Sequence, residues 1–143
     1  MSRGGIGTKI HLVCDGKGLP IVVDVTAGQA HKSTRCIPLL DDISVATGGR
    51  PRQRPERLAG DKGYSMPAIR AWLKVRMIED VIPTRKDQIP DPDFDKAAYR
   101  ERNAIERLFG WLKECRRLAT RYEKLALHYL GMLTLGMILR HLR

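Results

Sequence analysis

A carboxylate flanked by two cations and a phenol recurs at helical spacing in the last third of the chain. Tyr99, Arg102, Glu106 and Lys113 follow the pattern Y-x2-R-x3-E-x6-K. An α-helix advances roughly 100° per residue, so the four fall within an arc of about 60°. Ile105, Leu108, Phe109 and Leu112 cluster on an adjacent face, which can bury. The spacing therefore predicts a helix that packs by one face and presents a Tyr-Arg-Glu-Lys stripe along the edge of that packing. Glu106 can hold a divalent cation. Arg102 can grip phosphate oxygens with a planar fork, and Lys113 can meet them as a point charge. Such a stripe suits a place where metal and phosphate meet. Opposite charges at these spacings also decorate ordinary solvated helices, and the residues alone leave both readings open.

Asp61 is the second acidic candidate. It ends the short run RLAG ahead of a helix that Pro67 opens. By itself it reads as an N-cap or turn residue. Lys62 and Tyr64 follow directly, as loop surface or as contacts to a phosphate backbone. The other titratable residues point elsewhere. Asp15 stands in the turn sequence DGKG. Asp24 lies in a β-branched run. His31, in GQAHKS, reads as a helix-entry residue with a local hydrogen bond, and His11 as structural or edge-exposed. His128 and His141 have no partner at metal spacing. Trp72 and Trp111 read as core. Cys14, Cys36 and Cys115 are widely spaced with no CxxC pair, which argues against a zinc site or a disulfide framework and suits a reducing cytoplasm.

The elements that must position these residues follow from periodicity and turn chemistry. TKIHLVCD and PIVVDVT, joined through Gly16-Lys17-Gly18, predict an antiparallel hairpin. Ser33 is a candidate N-cap for a helix through Ile37, Leu39, Leu40 and Ile43. Residues 47–57, with Arg50, Arg52, Arg54 and Arg57, read as an exposed basic loop that is either solvated or in contact with phosphate. A short strand over 57–60 leads to Asp61. The helix opened by Pro67 buries Ile69, Trp72, Leu73 and Ile78. Residues 80–84 form a further strand. One long helix runs from about 95 to 119, and a last one from about 122 to 142. The order predicts an α/β domain with a mixed sheet covered by helices.

Composition bounds the partner. The chain has 143 residues and 43% hydrophobic content, enough for a core and suited to one domain. Lys and Arg total 26 against 16 Asp and Glu, a net charge of +10 that fits either a polyanion such as nucleic acid as partner or a basic solubility bias or ribosome association. The apolar run 130–139 is too short to span a bilayer, and no membrane partner is expected.

The helical pattern resembles the tyrosine-arginine-glutamate-lysine signature of bacterial insertion-sequence DDE transposases of the four/five group. The likeness extends to SRGGIGTKIHLVCDGKGLP, TAGQAHKS, AGDKGYSMPAIRAWL and RLATRYEKLALHYLGMLTLGMIL, and so covers nearly the whole chain. It implies a ribonuclease H-like mixed sheet with flanking helices, and a cytoplasmic phosphoryl-transfer enzyme that cuts and joins DNA at insertion-element ends. Asp61 and Glu106 become catalytic metal ligands, for Mg2+ or Mn2+, with two ions in a complete site. Tyr99, Arg102, Lys113 and Lys62 become DNA-binding residues. In that family the first catalytic aspartate lies on the first strand, which is expected upstream of residue 1. Residues 1–143 are therefore read as a single partial catalytic domain lacking its first strand, inactive alone. An upstream-encoded transposase half is a candidate partner, alongside insertion-element ends and target DNA, and the complete protein is expected to be a homo-oligomer. The alternative is a non-catalytic basic DNA-binding module.

Overall fold

The computed structural model describes residues 7–143 and contains two compact units, one formed by the N-terminal 31 residues with Ala104–Arg143 and the other by Lys32–Asn103. The first unit opens with strands β1 (Thr8–Cys14) and β2 (Pro20–Ala27), paired antiparallel from Thr8 opposite Ala27 to Val13 opposite Val22. Asp15 builds the turn between them. Its Oδ1 accepts the backbone N–H of Lys17 at 2.9 Å and of Leu19 at 2.8 Å. Gly18 completes the turn at φ +82°, a left-handed conformation that L side chains rarely adopt. The hairpin is as expected from the sequence, with one irregularity at Val13/Cys14.

The same unit holds helices α4 (Asn103–Glu114), α5 (Arg116–Ala119) and α6 (Ala126–His141). Leu108, Leu112, Leu118, Tyr129 and Leu133 form its core, with Ile10, Leu12, Val23 and Val25 of the hairpin against them. Helix α6 lies on β2, and His141 bonds the Pro20 carbonyl at 2.7 Å. The buried Tyr129 hydroxyl donates to the Leu118 carbonyl at 2.7 Å, tying α6 to α5. Burial pushes this phenol above its ordinary range.

The second unit begins with a 3-10 turn (Lys32–Arg35) that runs into α1 (Cys36–Asp41). Ser33 is expected to cap this helix, but it lies inside the 3-10 turn. The reason is Pro38. A helix capped at Ser33 would place this proline in its interior, where the missing N–H costs a bond to residue 34. Starting at Cys36 places it in the first turn, which needs no such bond. Strand β3 (Arg57–Ala59) pairs parallel with β4 (Glu79–Val81), and the crossover is α2 (Pro67–Val75). Ile69, Leu73 and Ile78 are buried as expected. Trp72 is only partly covered, and the Arg76 guanidinium lies 3.9 Å from its ring centroid. Helix α3 (Lys96–Glu101) follows, capped by Asp95 through the N–H groups of Ala97 and Ala98, both at 2.9 Å.

The described residues thus form a mixed α/β structure with two small sheets, one antiparallel and one parallel, flanked by helices. The single long helix expected over 95–119 is instead three segments, α3, α4 and α5. At Arg102 the last turn of α3 tightens, with the Arg102 N–H bonded to the Tyr99 carbonyl three residues back at 3.1 Å. At Cys115 the chain turns extended. No helix among the described residues is long and apolar enough to cross a membrane.

Arg70 anchors the second unit. It pairs with Asp80 and donates to the Ile82 carbonyl at 2.8 Å and to the buried Ser65 hydroxyl at 3.0 Å. Ser65 in turn donates to Gln88 Oε1 at 2.5 Å, and Gln88 Nε2 returns a bond to the Ser65 carbonyl at 3.0 Å. The segment just after Asp61 is thereby clamped to β4 and the loop beyond it. Arg70→Leu removes the donor from three acceptors and is expected to cost about 2 kcal/mol in urea denaturation. An unchanged midpoint would remove this network from the list of stabilising contacts.

Candidate active site

Asp61 lies two residues beyond the carboxyl end of β3, with extended backbone (φ −74°, ψ 165°). Its Oδ1 accepts the Gly63 N–H at 2.7 Å, so it caps the 3-10 turn Lys62–Tyr64. The N-cap role that the residue alone suggests is therefore real. Its second oxygen is not used by the cap. Oδ2 forms an ion pair with the Lys32 ammonium. Lys32 also stands 5.3 Å from the centroid of the Tyr64 ring. Lys62 is exposed.

The Tyr64 phenol is pushed up to about 12, first by burial and then by the negative charge of Asp61. Its folded-state value lies above its unfolded value of about 10. The stability tied to this proton is therefore complete below pH 10 and lost as the pH rises toward 12. Urea melts should show falling stability across that window, and Tyr64→Phe should flatten the fall. An equal slope in the variant would dissociate the phenol from the alkaline loss.

Tyr99 sits in α3, half-buried, its ring 5.5 Å from that of Phe94. The Arg102 guanidinium carbon lies 5.4 Å from the Tyr99 centroid. These two residues belong to the second unit.

Glu106 and Lys113 belong to the first unit, on α4. Both are exposed, whereas Ala104, Leu108 and Leu112 of the same helix are buried. At 100° per residue Glu106 and Lys113 stand about 20° apart on the outer face. Glu106 lies in the first turn and Lys113 in the last, where their charges also complement the helix dipole. The structure thus keeps two halves of the four-residue stripe, Tyr99 with Arg102 and Glu106 with Lys113. The continuous helix that the spacing predicts is interrupted at Arg102.

Elsewhere the expected roles are mostly structural. Asp15 is the hairpin turn residue, and Asp24 accepts the Val25 N–H at 2.7 Å. His11 is buried and bonded to the Thr26 hydroxyl at 2.8 Å. Trp111 is half-buried beside the unit's core, with the Arg140 and Arg143 guanidinium carbons 5.5 and 5.6 Å from its centroid. In the basic loop, Arg52 pairs with Glu56, Arg54 donates to the Arg76 carbonyl and Arg57 pairs with Glu79.

Taken singly, two carboxylates have donor chemistry that suits a divalent metal. Asp61 and Glu106 offer hard oxygens, both reach solvent, and Asp61 Oδ2 already faces a cation. Among the described residues no group of three or more His, Cys, Asp and Glu stands together as a metal cage. Lys32 is the site residue that the sequence does not announce. It is 29 positions from Asp61, and nothing in GQAHKS marks the pairing.

Residues 2–140 match the Transposase DDE domain family. This match, over nearly the whole chain, defines the class. The chain belongs to the DDE transposases of bacterial insertion sequences. A Burkholderia cepacia protein, whose name assigns it as transposase for insertion sequence element IS402, is 33% identical over 136 residues, covering 94% of this chain and 62% of that protein. A Brucella ovis protein, similarly named for element IS6501, is 31% identical over 140 residues, covering 95% of this chain and 98% of that protein. The chain thus spans under two thirds of the IS402 relative and nearly all of the IS6501 relative. No solved structure matches.

Proposed function

We propose that this chain serves DNA transposition by metal-dependent cleavage and strand transfer at insertion-element ends, with Asp61 and Glu106 each ligating a divalent metal. The observation that carries the reading is Asp61: a partly exposed carboxylate beyond a parallel strand, holding a cation on its free oxygen, in a chain of the DDE family. Mg2+ or Mn2+ would activate the attacking oxygen and stabilise the leaving one. Arg102, stacked on Tyr99, would grip a DNA phosphate by its fork. Lys113 and Lys62, both exposed, would neutralise neighbouring phosphates.

In this proposal residues 1–143 form part of one ribonuclease H-like domain, of the four/five group, and the third carboxylate comes from outside them. Asp15 is occupied in building the hairpin turn, which supports that assignment. The test is strand transfer on insertion-element-end DNA with Mg2+. The chain alone should yield no joined product, and the chain completed by an upstream segment bearing an aspartate on a hydrophobic strand should yield it. Efficient joining by the chain alone would overturn the need for an outside carboxylate.

A basic DNA-binding module without catalysis is the second reading. It draws on the net charge of +10 and on Lys113, Arg116 and Arg117, all exposed along α4 and α5. DNA binding with equal salt dependence with and without Mg2+, and unaffected by Glu106→Gln, would favour it.

A further inference from the structure

We infer that Lys32 is the resident counter-cation of Asp61, and that it must leave the carboxylate before a divalent metal enters, so that this lysine sets the affinity of the site for metal. The inference rests on the reading of Asp61 as a metal ligand and adds to it a competitor from the same unit.

Three features of the local structure carry it. The two oxygens of Asp61 are used differently. Oδ1 is committed to the Gly63 N–H at 2.7 Å and closes the turn, which leaves Oδ2 as the oxygen through which a cation can be held. The Lys32 ammonium occupies that oxygen. The second feature is that room is kept for it. Gly63 has no side chain, and a Cβ there would collide with the end of the Lys32 side chain. The third is that the lysine is steadied from the side. Its ammonium stands 5.3 Å from the Tyr64 ring centroid, and the 3-10 turn that carries Lys32 packs on the turn that Asp61 caps.

The hold is weak enough to yield. The side chains are 36% and 38% exposed. A pair so open to water is worth no more than about a fivefold factor in equilibrium. A divalent ion at Oδ2 therefore displaces the ammonium at modest cost, and the cost appears directly in the metal dissociation constant. Lysine suits such a role because its single point charge swings away on a flexible stem.

The test measures Mn2+ binding to the whole chain by the electron paramagnetic resonance signal of free Mn2+, with circular dichroism confirming that each variant folds. Lys32→Met keeps the stem beside Tyr64 and removes the charge. It should bind Mn2+ about fivefold tighter, and Lys32→Gln should do the same. Lys62→Met makes the same charge change one residue from Asp61 and should tighten binding less than about twofold, which separates competition at Oδ2 from the general field. Asp61→Asn in the Lys32→Met background should abolish the gain. In the unaltered protein, Mg2+ titration should shift the Lys32 Cε resonance. Binding that depends on Asp61 but is unchanged or weaker in Lys32→Met, or equal gains from Lys62→Met, would overturn the role of Lys32 and leave the metal reading standing. Mn2+ binding indifferent to Asp61→Asn, or absent in every form, would overturn both.

Discussion

Glu106→Gln in the completed transposase is expected to lower Mg2+-dependent strand transfer by about a thousandfold or more, while DNA-end binding changes by no more than severalfold. The substitution keeps the length and shape of the side chain and removes one anionic oxygen. A metal that stabilises charge at the reacting phosphorus contributes several kcal/mol, and each 1.36 kcal/mol is a factor of ten in rate. If Glu106 holds such a metal, as proposed, its loss reaches three decades or beyond. Asp61→Asn, the other proposed ligand, should give a loss of the same order. Glu114→Gln provides the control: it is an exposed carboxylate on the same helix and removes the same charge. Its strand-transfer rate should stay within about twofold. Equal losses in Glu106→Gln and Glu114→Gln would mean that general charge, not ligation, is at work. A parallel fall in DNA binding and joining would move Glu106 from the chemistry to the DNA contact.

Leu133→Ala is expected to have the largest effect on stability. Leu133 is 1% exposed and sits among Leu108, Leu112, Leu118 and Tyr129. Truncating a buried leucine costs about 2–5 kcal/mol, through lost burial and the cavity left behind. Natural domains hold only about 5–15 kcal/mol in total. The variant should melt on the order of 10 °C lower by circular dichroism, since each kcal/mol is worth several degrees in a chain this size. Leu135, two residues along the same helix, is 55% exposed, and Leu135→Ala should stay within about 0.5 kcal/mol of the parent. Equal melting of the two variants would mean that α6 does not bury the face described above.

Much of the local geometry around the candidate residues was legible in the sequence because the forces that shape it act over a few positions. Helical periodicity alone places Glu106 and Lys113 on one face of α4 opposite Leu108 and Leu112, since 3.6 residues per turn admit no other arrangement. Asp15 and Gly18 specify the hairpin turn through side-chain bonding to nearby N–H groups and a left-handed glycine. Asp61 reads as a turn-capping residue, and it caps one. Each of these depends on contacts within a few positions.

Tertiary structure decided the rest. The partner of Asp61 is a lysine 29 positions away, and only packing of one 3-10 turn on another brings them together. The parallel pairing of β3 with β4, separated by a helix, decides which strand the Asp61 segment lies beside. The helix break at Arg102 divides the four-residue stripe between two compact units. Sequence spacing determined which side chains could share a helical face. Which of them meet a distant partner depended on long-range burial and charge pairing, which no local pattern encodes.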